Sequence, residues 1–318
     1  MTQTRERLVR IDLSPPAFIH VPQAPRIERR RILARGSGNE WHMAGVCGVD
    51  AAGAQVGVSN HTWSHVDAPY HLFEDGLTFD RLEPALYLAL RTRLVDLTRT
   101  GPERRETVEG ISYHTRIAPA DVPPDVGEYD AVFFVTGFSA LFASGYPMRP
   151  GSDEHYPNLT PEAAVRLADE SSLRLVAIDA PSVDKPETAA AAHRALLGRR
   201  PPVLLLETLT AERLTGALDP LPREVLLTVE PLRAYGPGQD GALASVFAYA
   251  AAEGEEAFFG EFMQAMRTAR IVIGPSRSPI PDPCSSAHVQ KKSPGGRAGA
   301  PHSSGPHQGT RGRKQARR

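Results

Sequence analysis

Long hydrophobic runs are missing from this 318-residue chain. None approaches the roughly 18–20 apolar residues that a membrane-crossing helix requires. The N-terminus, Met1-Thr2-Gln3-Thr4-Arg5-Glu6-Arg7, also lacks the apolar core of a secretory signal. Both absences predict a cytoplasmic protein with no membrane partner. Cysteine is scarce as well: Cys47 and Cys284 are the only two, far apart in sequence, which excludes a disulfide framework and a cysteine metal knuckle. Nor does one sign of charge prevail, the formal net charge being -1. That balance hides an asymmetry, because residues 275–318 hold nine Lys or Arg against the single acid Asp282 and have no aromatic side chain. A basic tail with nothing to stack on a base is expected to be a solvated segment rather than a nucleic-acid contact.

What is present is enough apolar residue, 41%, for a sizeable core. We expect one folded domain over residues 1–274, followed by a disordered Pro/Gly/Ser-rich tail over 275–318. Within the domain, Leu8–Leu13, Ala54–Val58, Arg93–Leu97, Ala131–Val135, Leu173–Asp179, Val203–Leu206, Val225–Val229 and Ala244–Tyr249 read as strands. Arg29-Arg30-Arg31 precedes a strand-like Ile32-Leu33 and reads as a solvated edge rather than a targeting signal. Thr160-Pro161 opens a helix with an N-cap and a first-turn proline, and an alanine-rich helix over 188–197 is expected to close at Gly198. Phe258, Phe259, Phe262, Met263 and Met266 recur at helical spacing as a packing face. Residues 101–130 are polar and read as loop. Ala131–Val135 ends at Thr136-Gly137-Phe138, where a glycine permits close approach, so Phe138 is a candidate pocket wall.

The densest chemistry lies in His61-Thr62-Trp63-Ser64-His65-Val66-Asp67-Ala68-Pro69-Tyr70-His71. In an extended segment His61, His65, Asp67 and His71 would all point to one face. Pro69 and the β-branched Thr62 and Val66 argue against a helix, and Thr62 stands where a helical zinc-protease motif needs Glu. Imidazole and carboxylate together suit a divalent metal. Glu207, ending an apolar strand, is a charge that would be costly at a buried edge without a cation.

These residues resemble the cyclase family that includes bacterial kynurenine formamidases (arylformamidases) and isatin hydrolases. His61 to His71 is similar to the family pattern H-x-G-T-H-x-D-x-P-x-H, with Trp63 in place of Gly and Ser64 in place of Thr. Ile178-Asp179-Ala180-Pro181-Ser182-Val183-Asp184, then His193-Arg194-Ala195-Leu196-Leu197, then Glu207 resemble three further family pieces, with Thr208 replacing the usual Asn. Pro231-Leu232 and Asp240-Gly241-Ala242 resemble the closing segment. The resemblance implies an α/β protein of the swivelling β/β/α type, with a mixed, barrel-like sheet flanked by helices. It implies one or two zinc or manganese ions: His61, His65 and Asp67 would hold the first, and Asp67, His193 and Glu207 the second. His71 matches the family's catalytic histidine.

The activity so implied is metal-dependent hydrolysis of an aryl formamide or cyclic amide, N-formylkynurenine being the first substrate to try, with hydroxide supplied at the metal and His71 as general acid/base. A small-molecule substrate and a homodimer or homotetramer follow from the same likeness. Trp63 is a candidate substrate contact, its indole standing where relatives keep glycine. Two alternatives remain, a cyclase or lactone hydrolase on the same metal site, and a metal-stabilised binding protein without turnover.

Overall fold

Ala131–Val135 is the strand that its apolar run predicts, and the sheet is built outward from it. The structure, a computed structural model, describes residues 6–14, 34–36, 39–41, 45–49, 55–144, 156–232 and 238–269. The expectations for Arg29-Arg30-Arg31, Cys284, the 274/275 boundary and the basic tail lie outside the described residues.

Ala131–Val135 pairs in parallel with Leu90–Asp96 on one side and Leu175–Ile178 on the other, and Leu204–Glu207 follows in parallel. Antiparallel pairing then takes over. His65–Asp67 joins Leu204–Glu207 to the start of Gly241–Ala251. The middle of Gly241–Ala251 pairs with Glu224–Pro231, which returns to Leu90–Asp96. These seven strands close on themselves, and Leu8–Asp12 adds to the far end of Gly241–Ala251. The expected mixed, barrel-like α/β architecture is therefore present.

Side chains alternate across each strand, so the two faces make two cores. Ala131, Phe133, Val135, Leu175, Ala177, Leu204 and Leu206 point inward, together with Val66, Val225 and Leu227. Val132, Phe134, Val176, Ile178 and Leu205 point outward, where they meet Ala163, Ala164 and Leu167 of helix Pro161–Ala168 and Ala192, Leu196 and Leu197 of helix Ala191–Leu197. Burial on both faces is why the parallel strands read as continuous apolar runs. Each fully buried Leu or Phe contributes about 1.5–3 kcal/mol.

Helix Pro161–Ala168 starts as expected, the Thr160 hydroxyl accepting from the Ala163 N–H at 3.2 Å. The second helix is shorter than its composition suggests. Ala189 and Ala190 adopt φ of 51° and 58°, and the helix begins only at Ala191. Asp184 supplies the reason, since its carboxylate accepts from the N–H groups of Ala192 (3.1 Å) and His193 (2.8 Å) and so caps the helix from a preceding loop. Gly198 closes it with φ of -75°, not in the left-handed region. A Cβ there would lie 2.5 Å from the Arg194 carbonyl oxygen and 3.2 Å from the Phe73 ring, so it is close approach that the glycine serves.

Residues 101–130 are more ordered than their polarity suggests. Arg105–Val108 and Ile111–His114 form a hairpin whose turn residues, Glu109 and Gly110, have φ of 50° and 78°, the sense that suits a tight hairpin. Helix Glu256–Thr268 lays Phe259 and Met263 against Leu226 as a packing face. Among the described residues no helix is long and apolar enough to cross a membrane.

Candidate metal centre

Only His65–Asp67 of the histidine-rich stretch is strand; Asn60 to Ser64 turn and bend, and Pro69–His71 is a single 3-10 turn. The expected single extended segment is thus corrected. Convergence of the four polar side chains comes from two tight turns flanking a three-residue strand, and Pro69 is the residue that turns the chain after Asp67. His65 and Asp67 face away from inward-pointing Val66, toward the helix-covered side. Register then brings in a second strand, because His65 lies opposite Glu207. Helix Ala191–Leu197, packed on that face, delivers His193.

Asp67 is the hub. Its Oδ1 lies 2.8 Å from His61 Nδ1 and 3.3 Å from His65 Nε2, and its Oδ2 lies 3.3 Å from His193 Nε2. Glu207 comes within 3.4 Å of His65 Nε2 and 3.7 Å of His193 Nε2. The His61 and His71 rings stack at 4.1 Å, and His71 and His193 are 5.9 Å apart. Six of the eight residues singled out in the sequence, His61, His65, Asp67, His71, His193 and Glu207, are therefore brought together. Trp63 is half-buried beside them, and its carbonyl accepts from His65 Nδ1 at 2.6 Å. Phe138 is placed otherwise. It packs edge-on to Tyr113 at 4.9 Å in the outer core, 2% exposed, while the Thr136 and Gly137 N–H groups donate to the buried Asp179 carboxylate.

Outer partners aim the ring nitrogens. His193 Nδ1 faces Asp184 Oδ2 at 2.7 Å, and the Val183 N–H donates to Glu207 Oε1 at 2.7 Å. His61 Nε2 and His71 Nδ1 share Asp240 Oδ2, at 2.9 and 3.2 Å. Asp184 and Asp240 stood within the family-like segments without a role; their partners are what the sequence could not display.

The donor set fits a divalent cation. Both Asp67 oxygens are buried without a hydrogen bond of acceptable geometry although three imidazole nitrogens surround them, as expected where a cation sits between carboxylate and imidazoles. With neutral histidines, Asp67, Asp184, Glu207 and Asp240 would leave four buried negative charges, which need compensation. Without metal, protons supply it. Burial lowers the His65 pKa, but Asp67 and Glu207 outweigh this and push it up to about 10. His193, likewise opposed by burial, is pushed up to about 10 by Asp184, Asp67 and Glu207. His71 moves the other way, lowered by burial and by neighbouring His61. Among the described residues two triads have ligand atoms within 4.8 Å of one another, His61/Asp67/His71 and His65/Asp67/Glu207, each differing by one residue from the sets the resemblance implies.

A closed mixed sheet bearing a buried histidine–carboxylate cluster on its helix-covered face defines an α/β protein with a candidate metal site. Residues 11–185, more than half of the chain, match the model of the putative cyclase family, and the protein belongs to that family. The match spans His61 to Asp184 and ends before His193, Glu207 and Asp240. No curated protein matches. Among solved structures, the chain is similar to a potential metal-dependent hydrolase with cyclase activity (TM-score 0.47, 20% identity, 77% of this chain and 99% of that one). It is also similar to isatin hydrolase A from Labrenzia aggregata bound to benzyl benzoate (0.48, 20%, 77% and 94%) and to isatin hydrolase A from Ralstonia solanacearum (0.49, 17%, 76% and 92%).

A cavity of about 560 Å³ opens beside the cluster rather than at it, lined by Pro69, Phe73, Leu86, Leu197, Arg200 and Pro202 among others. None of the six cluster side chains lines it.

Proposed function

We propose that the protein is a metal-dependent hydrolase of a small aryl formamide or cyclic amide. The observation that carries this reading is the geometry of Asp67, whose two buried oxygens face His61, His65 and His193 without proper hydrogen bonds, with Glu207 at hand for a second ion. Zinc or manganese suits a site of neutral imidazoles and carboxylates with no thiolate. Held by His61, His65 and Asp67, a divalent ion would lower the pKa of water and polarise a carbonyl oxygen. His71 then has the proton-transfer role. Its ring stacks 4.1 Å from His61 and its Nδ1 faces Asp240 Oδ2 at 3.2 Å, which sets beside the proposed ligands an imidazole of the kind that exchanges a proton near neutral pH. Half-buried Trp63, next to Ser64 and His65, offers an aromatic substrate a face to stack on.

Metal analysis combined with turnover of N-formylkynurenine, isatin and simple lactones tests the proposal. Turnover should disappear on chelation and return with zinc or manganese, and His65→Ala should abolish it together with metal binding. Full activity in metal-stripped protein would sink the proposal. Lactones as the only substrates would move it to the cyclase or lactonase reading on the same site.

A further inference from the structure

Asp240 lies at the entry to strand Gly241–Ala251, 1% exposed, in a segment whose backbone is tied down: the Ala68 N–H donates to its carbonyl at 2.8 Å. Its two carboxylate oxygens have different duties. Oδ1 accepts from Asn60 Nδ2 at 2.7 Å, and the same amide group also donates to the Gly241 carbonyl at 3.0 Å. Oδ2 faces His61 Nε2 at 2.9 Å and His71 Nδ1 at 3.2 Å. An ionised carboxylate can only accept, so each ring nitrogen facing it carries a proton.

We propose that Asp240 is a positioning residue that sets the tautomers of His61 and His71 together. His61 is held as Nε2–H, which turns its Nδ1 lone pair toward Asp67 Oδ1, 2.8 Å away, as a metal ligand requires. His71 is held as Nδ1–H, which makes Nε2 the nitrogen that takes up and returns a proton. One oxygen thus links the ligand histidine to the acid/base histidine stacked 4.1 Å from it. The kinetic part of this inference rests on the proposed hydrolase reading; the tautomer part does not.

The isosteric variant Asp240→Asn is the informative one. Asn60 donates toward Oδ1, so the new amide turns its oxygen to Asn60 and its NH₂ toward the two imidazoles. A donor now faces each ring nitrogen; in zinc-loaded protein the ion at Nδ1 keeps His61 as Nε2–H, while His71 is driven to the opposite tautomer. In zinc-loaded protein with ¹⁵N-labelled histidine, the wild type should show N–H at Nε2 of His61 and at Nδ1 of His71, and Asp240→Asn should lose the latter. Its kcat should fall about 100-fold or more with KM little changed, the scale of a lost acid–base group. A His71 N–H on Nε2 in the wild type, zinc bound at His71 Nδ1, or a folded Asp240→Asn variant within about threefold of wild-type kcat would each overturn the proposal. The wild-type assignment requires no variant, so an unfolded Asp240→Asn leaves it decidable. If the zinc-loaded wild type hydrolyses none of the substrates, the hydrolase reading falls and the tautomers alone decide the role of Asp240.

Discussion

Glu207 is followed by Thr208 at φ of 61°, and a β-branched side chain in that left-handed region is strained. The backbone there is over-determined: the Thr208 N–H donates to the Ala180 carbonyl at 2.8 Å, and the Ser64 hydroxyl donates to the Thr208 carbonyl at 3.1 Å. These bonds hold Glu207 facing His65. Asn tolerates left-handed backbone far better than a β-branched residue. Thr208→Asn should therefore stabilise the protein by about 1 kcal/mol, read as a higher denaturation midpoint; a lower midpoint would contradict the strain argument. Protons act at the same scale. His65 and His193 are pushed from an ordinary value near 6.5 up to about 10, so the metal-free fold holds protons that the unfolded chain has lost. Their contribution to metal-free stability is complete below about 6.5 and disappears as pH rises through about 10. Metal must displace those protons. Binding at neutral pH should release roughly two per cluster, seen as a dependence of the calorimetric heat on buffer ionisation enthalpy, with affinity rising as pH rises. Metal uptake without proton release would refute the proton-compensated cluster.

At the scale of elements, the site depends on how closely strand Gly241–Ala251 approaches the turn that carries His61. Gly241 pairs with Asp67, and a Cβ added to it would lie 2.8 Å from His61 Cε1 and 2.8 Å from the Val66 carbonyl. Gly241→Ala must displace the imidazole from between Asp67 and Asp240 or spread the two strands. We expect about 1–3 kcal/mol of destabilisation from overpacking, together with weakened metal binding in chelator competition; unchanged metal affinity would show that His61 is not held by this approach. Such a constraint is invisible in sequence, where Gly241 is one of several glycines in a turn-rich segment. Other elements were legible because their signals are local. Thr160-Pro161 marked a helix start, and the five-residue run Ala131–Val135 marked a central strand to the residue. The hairpin after residue 104 was missed because its strands are short and polar, although Glu109-Gly110 between Thr107-Val108 and Ile111-Ser112 carried a turn signal.

The ring of seven strands closes through its shortest member. His65–Asp67 has three residues, yet it bridges Leu204–Glu207 and Gly241–Ala251 and completes the ring of seven strands. The histidine spacing disclosed that His61 to His71 is chemically special, but the ring closure, and the duties of Asp184 and Asp240, lay beyond it. Asp240 meets His61 across 179 residues of sequence and His71 across 169, separations at which no local pattern operates. Because the closing strand also carries two of the ligand candidates, a cation there would clamp the ring itself. A ligand that binds only the folded state adds about 4 kcal/mol at a thousandfold excess over its dissociation constant. For a chain of 318 residues that corresponds to a midpoint shift on the order of 6 °C. Chelation should lower the midpoint on this scale, and amide exchange should accelerate first in His65–Asp67 and its two partner strands while Leu90–Asp96, on the opposite arc, keeps its protection. A chelated protein with an unchanged midpoint and uniform protection would show that the ring closes without help from a metal.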